Sequence, residues 1–154
     1  MRRRWWHLSA VATTIVAATL TATPEVDALE WMTPEERGYA AWVQANRAWH
    51  GAPPILLDGH LTAQAQLQAD RLAANGQLSH SPSGELVWWV QQGWTAGVAE
   101  NVATADTARH AHEAVAFSAP HLANQLNPGH RGFGVAVRRG SDGRVYTVET
   151  YGGF

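Results

Sequence analysis

The 154-residue chain carries 11 basic against 13 acidic residues, a formal net charge of −2, and is 45% apolar and 16% charged. That length suits one domain with a real core, and that balance excludes a disordered chain and a polycation built for nucleic acid. The absence of cysteine excludes thiolate nucleophiles, disulfide staples and Cys-based zinc sites.

Residues 1–28 read as a secretory signal peptide. Three arginines, Arg2–Arg4, precede a short apolar run from Leu8 to about Leu20, which is short for a bilayer span. Val26-Asp27-Ala28 places small residues where a signal peptidase looks, giving cleavage after Ala28 and a domain over 29–154. An uncleaved anchor is the alternative. Without disulfides, an exported domain of this size must rely on its core.

Thr33-Pro34-Glu35-Glu36 begins a helix, with an N-cap hydroxyl, a proline at the first helical position and a glutamate placed to reach back. Tyr39, Trp42, Val43, Asn46 and Trp49 follow at helical spacing until "HGAPP" ends the run. Asp58 caps a second helix that Asn75-Gly76 closes. Its main stripe is Leu61, Ala65, Ala69 and Leu72. A second stripe of Ala63, Leu67 and Ala74 predicts a helix covered on both sides.

From Ser81 to Val102 the pattern is irregular, with Trp88, Trp89 and Trp94 read as core and loop packing. "TADTARHAHEAVAF" predicts a third helix with Asp106 near its start. His110 and His112 stand two apart on it, a poor spacing for a metal pair, and both are expected to face solvent. Behind Ser118-Ala119-Pro120 another helix could begin. "FGVAVRR" and "RVYTVETY" alternate in the strand manner around Gly140-Ser141-Asp142-Gly143, a hairpin. Helices first and an antiparallel pair last predict an α+β class, with helices packed over a sheet.

Three segments carry residues suited to a site. "LSHSPSG" holds His80, "GVAENV" holds Glu100 in a small, apolar setting, and "SAPHLAN" holds His121. Two neutral imidazoles and a carboxylate suffice as protein ligands for zinc, leaving a fourth position open for water or substrate. The chain has no HExxH spacing, and no separate general base remains once Glu100 is used as a ligand. Ser118 stands three residues before His121, but no acid partner or oxyanion hole accompanies it. The plainer reading of both histidines is that they hydrogen-bond Glu100 or buried backbone and hold three loops together.

"WVQANRAWHGAPPILLDGHLTAQAQLQADRLAANGQLSHS", "GWTAGVAENV", "SAPHLANQLNPGHRGFGVAV" and "VYTVETYG" resemble, in order and over nearly all the mature chain, the CAP superfamily. That superfamily comprises cysteine-rich secretory proteins, antigen five of venoms and plant pathogenesis-related proteins. The resemblance is to its compact, cysteine-free bacterial branch. It implies an α-β-α sandwich with a central antiparallel sheet between helical layers, and a cleft gathering His80, Glu100 and His121. Asn101, Ser118 and Asn124 are expected to support it, Asn124 by fixing a loop through its amide.

Three positions depart from the family pattern. Ala99 replaces its glycine before the glutamate. Val115 or Ser118 stands where many members carry a second glutamate. Gln44 replaces an asparagine of the first helix, although Arg47 and Gly51 match. The cleft this sequence supports therefore has three residues.

The resemblance favours a secreted, non-catalytic binding module, extracellular or attached to the cell envelope, for a lipid, cell-wall component or protein. The alternative is a metal-dependent hydrolase of peptide or cell-wall bonds. No cofactor is required in the first reading, with zinc or another divalent cation as a weak occupant. The domain is expected to be a monomer without nucleic-acid partners and without a membrane span after signal cleavage. N-terminal sequencing of secreted protein is expected to begin at Leu29; Arg2–Arg4 retained in a membrane fraction would establish an anchor instead.

Overall fold

The computed structural model describes residues 30–85 and 97–153. The predicted signal peptide and Trp88, Trp89 and Trp94 lie outside the described residues. Helix α1 spans Pro34–Trp49 and is opened by the expected capping box. The Glu36 amide donates to Thr33 Oγ1 at 3.1 Å, and the Thr33 amide to Glu36 Oε2 at 2.8 Å. The other oxygen of Glu36 accepts from Arg138 at 2.6 Å and from the Val137 amide at 3.3 Å. One buried carboxylate thus starts the helix and fastens it to the last hairpin.

The α1 core face is Tyr39, Ala40, Val43 and Arg47. Trp49, expected on the same stripe, is 86% exposed. It borders an open depression with Ala116 and Phe117 at the end of the partner helix α3 (Ala108–Ala116), and Arg47 fills the last core position, donating from Nε (3.0 Å) and Nη2 (2.6 Å) to the Pro53 carbonyl.

Strand β1 (Leu56–Leu57) leads into helix α2 (Gly59–Asn75), which begins and ends as its sequence predicts. Asp58 accepts from the Leu61 amide at 2.9 Å, and Gly76 closes the helix at φ 67°, a left-handed conformation that suits glycine. Leu61, Ala65, Ala69 and Leu72 are buried. The second stripe is not: Ala63 and Ala74 are exposed, and Leu67 is 47% exposed. One side of α2 faces the sheet and the other faces water, and the further buried positions are polar, Thr62, Gln64 and Gln68.

Strands β2 (Val98–Ala105), β3 (Gly132–Arg139) and β4 (Val145–Gly152) complete a sheet of order β1-β3-β4-β2. The hairpin β3–β4 is the one expected, and β2 pairs antiparallel on the far side of β4. The two-residue β1 adds a parallel pairing that the sequence did not announce. Even-numbered residues of β2, β3 and β4 face α2, where Val102, Ala136, Tyr146 and Val148 pack on Ala65, Ala69 and Leu72. Odd-numbered residues face the opposite layer, where Phe133, Val135, Val137, Val145 and Tyr151 meet Tyr39, Val43 and Ala108. The result is an α-β-α sandwich. At Gly134 a Cβ would lie 2.1 Å from the backbone of Leu61 and Thr62, so α2 rests directly on the sheet backbone there.

Helix α3 is capped by Thr107, with Asp106 immediately before it at the expected start, and helix α4 spans Ala119–Leu126. His110 is exposed as expected, but His112 is only 6% exposed. It shares the inward face of α3 with Ala108, Ala111 and Val115 and meets the Tyr39 ring edge-on at 5.3 Å. Burial, helped by the Arg109 charge, lowers its pKa and keeps it neutral in the aromatic layer.

The one-sided burial of α2 gives a direct contrast. Leu61→Ala and Leu72→Ala are expected to lose about 2–5 kcal/mol, while Leu67→Ala should stay within about 0.5 kcal/mol of wild type. Urea denaturation midpoints check this. A large loss at Leu67 would mean that the outer side of α2 is covered.

Candidate functional site

The site is built on β2, where consecutive residues point to opposite faces of the sheet. Glu100 turns toward α2, and Asn101 turns toward α4. Each is the centre of a polar network.

Glu100 has a nearly inaccessible side chain. Its Oε1 accepts from the Ser81 amide at 2.9 Å and pairs with His80 Nδ1 at 2.8 Å; its Oε2 accepts from Ser81 Oγ at 2.5 Å. An acceptor-only carboxylate requires the proton on Nδ1 of a neutral His80, so Nε2 is the unprotonated nitrogen. The His80 side chain is 59% exposed. The site therefore presents a solvent-facing imidazole whose orientation and tautomer a buried carboxylate fixes.

The buried polar residues of α2 hold the loop that carries His80. Gln64 Nε2 donates to Ser81 Oγ at 3.2 Å and to Glu85 Oε2 at 3.1 Å, and Gln68 Nε2 donates to the Ser79 carbonyl at 2.7 Å. Arg71 closes the row with a two-pronged pair to Glu85 at 2.6 and 2.8 Å, and this contact lowers the Glu85 pKa. Spacings of three and four residues place Gln64, Gln68 and Arg71 on one helix face. That row explains why glutamines occupy interior positions of α2.

On the opposite face, Asn101 Nδ2 donates to the His121 carbonyl at 3.0 Å and to Glu149 Oε2 at 2.8 Å, while its Oδ1 accepts from Asn124 Nδ2 at 2.9 Å. Asn124 thus ties α4 to β2 through its side-chain amide. Ser118, the N-cap of α4, makes no side-chain cap bond; its hydroxyl meets His121 Nδ1 at 2.8 Å.

Glu149, which the sequence reading passed over, is fully buried. Oε1 accepts from Tyr39 OH at 3.0 Å and Gln125 Nε2 at 3.3 Å; Oε2 accepts from Tyr151 OH at 2.7 Å and from Asn101. Desolvation pushes the Glu149 carboxyl above its ordinary value against the pull of these donors. Both tyrosines are pushed well up as well, by burial first and by the Glu149 charge second. The sequence carries only a weak signal for this glutamate, a lone carboxylate inside the strand pattern Val148-Glu149-Thr150.

Of the three sequence-predicted residues, the structure brings His80 and Glu100 into contact. His121 approaches β2 from the other layer, and no hydrogen bond among the described residues joins it to that pair. Among the described residues no group of three histidine or carboxylate side chains is placed to hold a metal ion. His121 instead lines a depression of about 210 Å³ along the outer side of β2, with Leu78, Val102, Thr104, Ala114 and Ser118.

This layered sheet is shared with solved extracellular and surface proteins. An outer surface protein of Borrelia burgdorferi superposes with TM-score 0.65 at 17% identity, covering 79% of this chain and 95% of that one. An extracellular protein containing an SCP domain from Bacillus anthracis gives 0.60 at 22% identity, covering 80% of this chain but 44% of that longer one. NaASP2, solved with Zn2+, gives 0.60 at 14% identity, covering 79% and 80%. These likenesses establish the fold. The family model for the cysteine-rich secretory protein family, CAP, matches residues 42–151, and the chain belongs to that family. A comparison with curated proteins finds no match.

The raised pKa of Glu149 has a definite sign. Between the ordinary carboxyl value and the raised native one, the folded state keeps a proton that the unfolded chain has released. Stability therefore falls as pH rises through that window. In urea unfolding across pH 4.5–7, Glu149→Gln is expected to remove this fall. A variant whose pH profile parallels wild type would show that Glu149 is not the titrating group.

Proposed function

We propose that this CAP-family chain is an extracellular or cell-envelope binding module, exported by way of residues 1–28, whose site lies around the outer side of β2. The carrying observation is that both oxygens of Glu100 are committed, to Ser81 and to His80. A carboxylate so engaged orients an imidazole and is not placed to serve as a free general base. This favours binding over metal-dependent hydrolysis. The extracellular and outer-surface neighbours support the same setting, and none of the described helices is long and apolar enough to cross a membrane.

A divalent cation such as zinc is a weak accessory occupant in this reading. The donors assigned to it in this reading are the Nε2 atoms of His80 and His121, the nitrogens not engaged with Glu100 and Ser118; Glu100 acts through His80 by fixing its ring. Two imidazoles without a third protein ligand fit weak coordination and not a structural zinc site. The lipid, cell-wall or protein ligand of the family-level reading would be met by the surface that these residues border.

Isothermal titration of the purified protein with zinc should find one weak site that His80→Ala and His121→Ala abolish and His110→Ala preserves. Glu100→Gln should weaken it by about 10–100-fold, the usual cost of losing a ligand's orienting partner. Acid should weaken binding too, because imidazole must be unprotonated to coordinate. Zinc-dependent cleavage of casein or peptidoglycan, lost in Glu100→Gln, would overturn the non-catalytic reading.

A further inference from the structure

The pairing of β2 with β4 fixes which way each backbone group of β2 points. The Gly153 amide donates to the Gly97 carbonyl at 3.2 Å, and the register advances without interruption from Val98↔Gly152 to Ala105↔Val145. Hydrogen-bonded pairs alternate along an antiparallel ladder, so the odd-numbered residues of β2 exchange bonds with β4. The other side of β4 keeps the same phase: the Gly140 amide donates to the Arg144 carbonyl at 2.9 Å, placing even-numbered residues of β4 toward β3. The amides and carbonyls of Glu100, Val102 and Thr104 are therefore directed away from the sheet.

No strand among the described residues pairs with that side of β2, which is the last strand in the sheet order. Its one described outward contact comes from Arg144 Nη2, 3.5 Å from the Thr104 carbonyl at the far end. Val102 and Thr104 form the floor of the 210 Å³ depression. Leu78 stands on the α2 side, and Ala114, Ser118 and His121 stand on the other. His80 and Glu100 lie at one end of the row.

We propose that this groove binds an extended polypeptide segment, which adds to the sheet as a strand beside β2. The inference deepens the binding-module reading and rests on it, naming the class of ligand. Directed amides and carbonyls repeating every second residue are matched by another extended backbone, which supplies acceptors and donors at the same spacing. A lipid chain would leave them unpaired, at the cost of burying polar groups without partners. Alternate side chains of the added strand would lie against Leu78 on one wall and His121 and Ser118 on the other. Glu100 to Thr104 spans about 13 Å at roughly 3.3 Å per residue, enough for about five residues of added strand.

The test needs no metal and is run in EDTA, so it is independent of zinc affinity. In the purified protein, NMR-detected amide exchange at Glu100, Val102 and Thr104 should be at least about tenfold faster than at Asn101 and Ala103. Uniform protection across 98–105 would mean that the outer side is already paired and would overturn the proposal. The probe is a pool of capped, randomised octapeptides, with bound members recovered by affinity selection and identified by mass spectrometry. Selected peptides should slow exchange at the three even-numbered amides and lose at least tenfold in affinity for Val102→Pro, which deletes an outward amide and no bond to β4. Should that variant fold poorly, N-methylation of the peptide at alternate residues serves on wild-type protein. One methylation register should abolish binding and the other should leave it intact. No enrichment, or binding indifferent to both changes, sinks the proposal, as does protection of these amides by phospholipid vesicles in place of peptide. Cleavage of the selected peptides would instead refute the non-catalytic reading while leaving the added strand in place.

Discussion

A carboxylate without access to water joins the layers of this protein. Glu149 on β4 receives a hydroxyl from α1, an amide from α4, an amide from β2 and a hydroxyl from Tyr151 on its own strand. Two carboxylate oxygens offer about four acceptor positions, and all are used. Burying such a group is costly unless every position is filled, so the three elements must arrive in one arrangement. His121 inherits its place from that arrangement, because Asn101 holds both Glu149 and the His121 carbonyl. The chemistry of the site thus begins in the core.

Strand β2 carries a second network on its other face through the adjacent residue, Glu100. Here too a buried acceptor is satisfied by a loop, and the loop is held by side chains of a helix, Gln64, Gln68 and Arg71. Neither network is a large source of stability, since hydrogen bonds to buried carboxylates largely offset desolvation. Their effect is geometric. Two imidazoles from distant segments are referred to one strand, each ring held by a contact at Nδ1.

Much of the frame was legible in the sequence because local rules governed it. The capping box at Thr33, the Asp58 cap, the Gly76 stop and the final hairpin needed no tertiary information. His80 and Glu100 were legible through the ordered family pattern, not through spacing, since 20 residues separate them and a paired loop brings them together. Strand β2 was not legible. Covered on both faces and built from small residues around Glu100 and Asn101, it lacks the polar–apolar alternation of a half-exposed strand. Glu149 was hidden for a related reason: the alternation of "VYTVETY" does not tell that both faces of β4 are buried. His112 and Leu67 erred in opposite directions because helical spacing says which residues share a face, but not which face the neighbouring layer covers. Polarity decided neither case; the position of α3 against α1 and the solitary position of α2 did.

The two outer strands of the sheet are finished differently, and the difference bears on what the fold can bind. At one side β1 is two residues long and follows Pro53-Pro54, a short strand beside residues that cannot donate to a ladder. Such features blunt a sheet against unwanted pairing. At the other side β2 runs for eight residues without proline, bulge or an outward charge of its own; Glu100 is turned inward and consumed. Among the described residues Arg144 alone guards its far end. A long strand edge left bare invites indiscriminate association. Leu78 on one layer and Ser118 and His121 on the other stand as walls along that strand. The polar networks keep those walls at fixed separation, so the same hydrogen bonds that position the histidines also set the width of the groove between them.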